Sequence, residues 1–270
     1  MYMLSTYLFS ACILFVLATV LFIVAQIKNN NSIIDIGYGW GFIITAFLLA
    51  CNELILHPLT PQATLLFFLI CIWGIRLSYR IYKKNAGKEE DFRYRAWREE
   101  WQRKSMPYFY VRSYFQIFLL QGFVISIVLL PFTLTVDQSF AAHSQLMLLG
   151  SVLWIIGFMF EAIGDSQLDA FIKNKNPNKG TIMTSGLWKY TRHPNYFGES
   201  LMWWAIALIS YSASSSLFVF LSPILITYLL LFVSGIPMLE KKRKGNPDWE
   251  VYKKKTSAFI PLPPSKIVAK

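Results

Sequence analysis

Seven long apolar stretches limit the possible folds of this chain more than any other feature. A membrane-spanning helix needs about 20 consecutive, mostly apolar residues. The stretches that reach or approach this length are 7–27, 33–51, 61–79, 113–135, 145–164, 196–211 and 216–238. Only 15% of the 270 residues are charged, against about 25% in ordinary soluble domains. The sequence therefore predicts an all-α polytopic membrane protein, with one integral membrane domain over residues 1–270, and disfavours a soluble enzyme.

The distribution of lysine and arginine predicts the orientation of these seven helices. Cytoplasmic loops of membrane proteins collect Lys and Arg. With the N-terminus outside, the inside segments are 28–32, 80–112, 165–195 and 239–270. All Lys and Arg residues lie in these segments or at their membrane edges, and Arg76 is the one that lies deepest in a predicted span. The outside segments contain none. We therefore expect seven spans, an outside N-terminus and a cytoplasmic C-terminus.

The net charge of +11 follows from the same distribution. Basic loops orient the protein and attract anionic lipid headgroups. A nucleic-acid partner would need a basic face on a domain outside the membrane, and the sequence contains no such domain. Membrane lipids are therefore the expected partners, and the oligomeric state is left open.

Polar residues inside or beside the later spans indicate a functional cavity. Glu161, Asp165 and Asp169 follow one another at intervals of four near the inner end of the fifth span, so they share a helical face. Ionisable residues at membrane depth usually face a polar cavity or a partner. A structural ion pair for Glu161 is the alternative interpretation.

The segment before the sixth span carries the densest group of candidate ligands. Pro194 suits the first turn of a helix, which would then place Asn195 and Glu199 four residues apart on one face. Arg192 and His193 precede a helix N-terminus, which favours anions. This arrangement suits a ligand with phosphate at one end and an amide or hydroxyls deeper in the protein.

Two cytoplasmic segments admit two interpretations each. The loop 80–112 mixes charges with aromatic residues, which predicts a helix that either lies at the headgroups or caps a cavity facing the cytoplasm. The basic tail 240–261 either anchors the protein to the membrane surface or covers a pocket that binds phosphate. The sixth and seventh spans are joined by only four residues and form a candidate helical hairpin.

No metal site is expected. The three cysteines lie in apolar stretches and resemble small packing residues. On the predicted topology His57 and His143 are outside and His193 is inside, so the three histidines do not meet.

The motifs together resemble the bacterial DUF1295 family, which belongs with the steroid 5-alpha-reductase-like membrane enzymes. The segment from Gly186 to Glu199 is the most specific, with 164–168 before it and 254–261 after it. Segments 35–42 and 90–95 also resemble this family. The resemblance runs from about residue 33 to residue 264.

The resemblance implies a seven-helix fold that binds NADPH in a cavity facing the cytoplasm. Asn195 and Glu199 match the residues of the superfamily that contact the nicotinamide half. Asp165 matches an acid that binds the cofactor. Arg192, His193 and Tyr196 belong to the same motif and are added as cofactor-binding candidates.

The resemblance also implies an acid and a tyrosine that polarise the carbonyl of an enone. Asp35 is the candidate acid, and Tyr79 or its rival Tyr38 is the candidate tyrosine. Arg76 and Arg80 are candidates to neutralise the cofactor phosphates.

These expectations define a leading function and two alternatives. The leading one is an NADPH-dependent reductase of an activated C=C bond in a steroid-like or other lipid, in the bacterial inner membrane. The first alternative is an S-adenosylmethionine-dependent methyltransferase of the isoprenylcysteine carboxyl methyltransferase type. The second is a lipid-binding membrane protein without enzymatic activity.

Overall fold

The structure is a computed structural model that describes residues 2–85, 87–138, 144–174 and 180–265. In these ranges the α-helices are α1 (Tyr2–Ile27), α2 (Ile33–Leu54), α3 (Pro61–Asn85), α4 (Phe92–Gln102), α5 (Met106–Ser113), α6 (Leu120–Val128), α7 (Leu130–Thr133), α8 (Ser144–Lys173), α9 (Pro194–Ser214), α10 (Leu221–Tyr228), α11 (Ile236–Arg243) and α12 (Pro247–Lys255). Two π-helical segments, Tyr114–Leu119 and Leu229–Val233, join α5 to α6 and continue α10. Within these ranges the strand-like pairing is one isolated bridge between Thr191 and Ser257. The predicted all-α class is confirmed for this part of the chain.

Within the described residues, six helical segments are long and apolar enough to cross a membrane. They are Leu4–Ile27, Ile33–Leu54, Pro61–Asn85, Met106–Val128, Gln145–Lys173 and Leu217–Arg243. Each corresponds to one of the seven predicted spans. The protein is therefore an integral membrane protein with six candidate spanning helices.

The remaining predicted span corresponds to α9, which begins at Pro194 as expected and has 21 residues. It is not among the six because Asn195, Glu199 and several serines lower its hydropathy. Along α9 only Trp204 is exposed. A helix surrounded by protein does not need a lipid-compatible surface, which explains how a helix of this length carries so many polar residues.

The described chain divides into two compact units. Unit 1 comprises Met1–Ser144 with Ser210–Leu221, and unit 2 comprises Gln145–Ile209 with Ser222–Lys270. The single integral membrane domain over residues 1–270 stays a prediction. Each unit is described by itself below.

Helix α2 is the central element of unit 1, because three of its glycines let α1, α3 and α6 pack closely against it. A Cβ atom at Gly39 would lie 2.7 Å from the carbonyl oxygen of Gly74 on α3, and at Gly37 and Gly41 it would collide with side chains of α1 and α6. The Ser78 hydroxyl donates a hydrogen bond of 3.2 Å from α3 to the carbonyl of Ile36. Close packing of this kind positions the first turn of α2, where Asp35 lies.

Unit 2 is organised around the antiparallel pair of α8 and α9. Gly150, Gly157 and Gly164 are seven residues apart on α8, and each approaches α9 closely, with Gly157 against Gly198 and Gly164 against Pro194. A seven-residue period keeps one stripe of a helix facing its partner. Small residues along that stripe let the two backbones come close together.

Candidate functional site

Arg192 lies two residues before α9, and its side chain forms its ion pair and hydrogen bonds within unit 2. Its Nε and Nη2 atoms lie 2.9 and 2.8 Å from Glu240 Oε1. Its Nη1 donates to the carbonyls of Lys253 at 3.0 Å and Thr256 at 2.6 Å, and its backbone N–H donates to Ser257. The three guanidinium nitrogens thus bind the C-terminal segment, residues 240–265, to the chain just before α9. This geometry favours a structural role for Arg192, and its cofactor role stays a prediction.

Further contacts fasten the same segment to the chain before α9. The Tyr252 hydroxyl donates to the carbonyl of Trp188 at 2.5 Å, and the Thr191 hydroxyl donates to Phe259 at 2.8 Å. The indole of Trp188 donates in turn to the carbonyl of Gly164 on α8. Burial raises the pKa of Tyr252, so it stays protonated and keeps its hydrogen bond.

His193 is a buried histidine with one ring nitrogen held and the other without a partner. Its Nε2 lies 3.4 Å from Glu240 Oε1, and its ring stacks on Tyr196 at 5.5 Å. Its Nδ1 is buried and has no hydrogen-bond partner among the described residues. Burial lowers the pKa of His193, the contact with Glu240 opposes this, and the charges of Arg192 and Arg243 assist it. His193 is therefore neutral around pH 7.

The predicted Asn195, Glu199 and Asp165 lie on the same pair of helices. The Oδ1 atom of Asn195 is buried and has no hydrogen-bond partner within the described ranges. Glu199 is half-buried, and Asp165 on α8 is buried. Glu161 is also buried, and a Cβ atom at Gly198 would lie 2.6 Å from its backbone nitrogen. Unit 2 thus collects acids and buried acceptors where α8 meets the start of α9.

An open groove of about 430 Å³ lies between the chain before α9 and the C-terminal segment. Its lining includes three residues with hydroxyl groups and two exposed lysines, together with Asp248. The residues are Thr184, Lys189, Asp248, Val251, Tyr252, Lys255, Thr256 and Pro264. The two lysines suit an anionic group better than Arg192 does, because their ammonium groups are not enclosed by protein.

In unit 1, the half-buried Asp35 pairs with a buried tyrosine that the sequence did not indicate. The Tyr94 hydroxyl donates to Asp35 Oδ1 at 2.5 Å, and Arg93 Nη2 lies 3.2 Å from Asp35 Oδ2. Gln121 Nε2 lies 3.5 Å from the Tyr94 oxygen. Burial, together with the charge of Asp35, raises the pKa of Tyr94. Tyr94 therefore keeps its proton at any physiological pH.

Helix α4 carries Tyr94 and is tied to the start of α2. The backbone N–H of Asp91 donates to Ser32 Oγ at 2.7 Å, and that of Asn31 donates to Glu90 Oε1 at 2.7 Å. Arg98 closes the network with two contacts of 2.9 Å to Glu90. Two interpretations of loop 80–112, which contains α4, were given above. These contacts disfavour the one in which its helix only lies at the headgroups.

The structure does not bring Tyr79 into this pair. Tyr79 is 62% exposed, and Lys83 lies over its ring at 5.8 Å. Tyr38 is half-buried and packs edge-on against Phe42 at 5.2 Å. The other predicted residues of α3, Arg76 and Arg80, are half-buried and one helical turn apart.

Sequence reasoning missed Tyr94 because it lies 59 residues from Asp35 in the chain. The available signal was its place in segment 90–95, one of the motifs that carried the resemblance. Glu240 was missed for a similar reason, since it lies 48 residues from Arg192 in the chain. No group of three or more His, Cys, Asp or Glu residues suited to a metal occurs among the described residues, and His143 lies outside them.

These features define a helical integral membrane protein with a buried polar cluster in each of its two units. A family model described as "Protein of unknown function (DUF1295)" matches residues 21–256. The chain therefore belongs to the DUF1295 family, and the predicted membership is confirmed. The uncharacterized protein C594.04c of Schizosaccharomyces pombe is 25% identical over 275 residues, which cover 92% of this chain and 77% of that protein. No solved structure matches the chain.

Proposed function

We propose that the protein is a membrane-embedded reductase that uses NADPH to reduce an activated C=C bond in a steroid-like or other lipid. The observation that carries this proposal is the pair of half-buried Asp35 and buried Tyr94, joined by a hydrogen bond of 2.5 Å. It supplies the acid and the protonated tyrosine that the resemblance to steroid 5-alpha-reductase-like enzymes implies. In this proposal Tyr94 takes the role first expected of Tyr79 or Tyr38.

The chemistry required of the chain is modest. When bound, NADPH would supply the hydride for the β carbon of the enone. The C=C electron pair moves toward the carbonyl oxygen, where a donor stabilises the developing negative charge. Tyr94 would be that donor once its single O–H, which Asp35 Oδ1 accepts in this structure, turns to the substrate oxygen, while Arg93 holds Asp35 in place. A proton from water then reaches the α carbon, which completes the saturated ketone.

Unit 2 supplies acceptors that fit the amide end of the cofactor. Asn195 Oδ1 and His193 Nδ1 are both buried without a donor among the residues described. Leaving a buried acceptor unsatisfied costs about 1–3 kcal/mol, and an amide N–H of a bound ligand would remove that cost. Asp165, Glu199 and Tyr196 are proposed to complete this site.

The phosphates require cations. Lys189 and Lys255 line the open groove, and this supports the interpretation of the tail as part of a phosphate-binding pocket. Arg76 and Arg80 are retained as further candidates.

The proposed topology has seven spans, with the N-terminus outside and the C-terminus in the cytoplasm. Helix α9 supplies the seventh span. Its 21 residues correspond to about 31 Å at 1.5 Å per residue, which matches the hydrocarbon thickness of about 30 Å. The confinement of Lys and Arg to alternate loops supports the orientation. The bacterial inner membrane is the proposed location.

Cofactor binding tests this function directly. The detergent-purified protein is heated with NADPH, NADH or S-adenosylmethionine, and its unfolding temperature is measured. A ligand at about 100 times its dissociation constant stabilises the folded state by about 2.7 kcal/mol. We expect a shift with NADPH that Asn195→Ala abolishes and that Asn52→Ala, at an exposed position, retains.

The other outcomes separate the alternatives. A shift with S-adenosylmethionine alone would replace the reductase by a methyltransferase. No shift with any of the three would favour a lipid-binding protein without enzymatic activity.

A further inference from the structure

Glu240 contacts an arginine, a histidine and a lysine of unit 2, and the proposed chemistry does not use it. Its Oε1 atom accepts from Arg192 at 2.8 and 2.9 Å and lies 3.4 Å from His193 Nε2. Its Oε2 atom lies 3.5 Å from Lys253 Nζ. Two cations beside it favour the carboxylate form, so Glu240 has no proton to donate.

The charge of Glu240 determines which nitrogen of His193 carries the proton. A carboxylate only accepts hydrogen bonds, and a neutral histidine has one N–H and one bare nitrogen. The contact at 3.4 Å therefore requires the proton on Nε2. Nδ1 is then left as an acceptor, and it is the atom that is buried without a partner in the described chain.

Nearby residues support the neutral form of His193. Arg192 and Arg243 are the cations that act on the ring, and Glu240 is the anion. The ring is 3% exposed and stacks on Tyr196. Burial disfavours the imidazolium ion. Nδ1 is thus a fixed acceptor rather than a group that exchanges its proton with water.

We propose that Glu240 is a positioning residue, which holds His193 in the Nε2–H tautomer and so presents Nδ1 as a buried acceptor for an N–H or O–H group of a ligand. Asn195 Oδ1 is a second buried acceptor two residues along the chain. The pair of acceptors is selective for a ligand with hydrogen-bond donors. That this ligand is the amide end of NADPH rests on the proposed function.

The tautomer is measured without any ligand, by ¹⁵N NMR of the imidazole nitrogens in the full-length protein labelled only at histidine. The chain has three histidines, and the spectrum of His193→Asn assigns the signals of His193. We expect a pyrrole-type Nε2 and a pyridine-type Nδ1. A protonated Nδ1 in the wild-type protein would overturn the proposal, whether or not any variant folds.

Substitutions of Glu240 test the cause. Glu240→Met removes the acceptor and should allow His193 to exchange between tautomers, whereas Glu240→Gln retains an amide oxygen and should restore the wild-type pattern. Lys253→Met is the matched control. It removes the lysine contact with Glu240 Oε2 and keeps the contact between Glu240 Oε1 and His193. An unchanged pattern in a folded Glu240→Met protein would refute a positioning role.

Addition of NADPH separates this proposal from the proposed function. We expect saturating NADPH to move the Nδ1 signal of His193 and to leave Nε2 protonated, and Glu240→Met to weaken NADPH binding about tenfold, the effect of one hydrogen bond. If the tautomer is as expected but NADPH moves no signal, the positioning role stands and the cofactor assignment fails. S-adenosylmethionine, added in parallel, then tests the alternative ligand.

Discussion

The close approach of α8 and α9 at Gly198 provides a sharp test of the structure. A Cβ atom added there would lie 2.6 Å from the backbone nitrogen of Glu161 and 3.0 Å from its Cβ atom, and it would also collide with the carbonyl of Gly157. Backbone atoms cannot rotate away as a side chain can. Gly198→Ala therefore has to move the two helices apart.

The change in the free energy of unfolding caused by Gly198→Ala is the difference between a cost and a gain. Overpacking a tight contact costs about 1–3 kcal/mol, and replacing a helical glycine by alanine recovers about 1 kcal/mol. Since the clash is with backbone atoms at less than 3 Å, we take the upper part of the overpacking range, about 2–3 kcal/mol, and expect Gly198→Ala to lower the free energy of unfolding by about 1–2 kcal/mol. Because Asn195 and Glu199 flank this contact, ligand binding should weaken as well.

Gly122 on α6 is the matched control. An added Cβ atom there would lie 3.6 Å from the Leu14 carbonyl oxygen and 3.7 Å from the Ala18 Cβ atom, which are ordinary contacts. Gly122→Ala should therefore be neutral or stabilise the protein by up to about 1 kcal/mol.

Thermal unfolding of both variants in one detergent, followed by tryptophan fluorescence, measures this difference. A shift of about 2–4 °C is expected per kcal/mol for a chain of about this size. If Gly198→Ala unfolds at or above the wild-type temperature, the close packing of α8 on α9 is wrong.

Three further results are expected. Tyr94→Phe should lower kcat for enone reduction by about a hundredfold, the lower range for loss of a positioned proton donor, whereas the exposed Tyr79→Phe should leave it unchanged; equal effects in NADPH-consumption assays would contradict the assignment. Because the pKa of His193 is lowered in the folded protein, the unfolded chain takes up a proton first as the pH falls below about 6.5, so acid should destabilise the wild-type protein and His193→Gln should reduce this slope in unfolding measured against pH. Tyr252→Phe leaves the carbonyl of Trp188 without its donor and should lower the free energy of unfolding by about 1–3 kcal/mol; an unchanged unfolding temperature would argue against the fastened C-terminal segment.

Much of the fold could be predicted because a bilayer imposes a local rule on sequence. Six of the seven predicted spans have the length and composition to cross a membrane. The start of α9 at Pro194 was also predictable, since proline is favoured in the first turn of a helix. Helix α9 as a span stays a prediction, because Asn195, Glu199 and several serines lower its hydropathy and it is not among the six candidates.

The candidate site was only partly predictable. Local spacing put Asn195 and Glu199 on one helix, and the motif around them identified the family. The acid Asp35 was indicated, but its partner Tyr94 was not, because the tyrosine was sought at the ends of spanning helices and lies instead on α4. The exposure of Tyr79 likewise depends on which side of α3 faces its neighbours.

The sequence by itself determined the membrane class, the family and the positions of most helices, because each depends on residues close together in the chain. The tertiary structure decided which side chains meet. Arg192 binds Glu240 and the carbonyls of a segment about 60 residues away, and Tyr94 binds Asp35 across a similar separation. Such pairs form only when distant helices pack closely, and that packing depends on glycines whose neighbours no local pattern specifies.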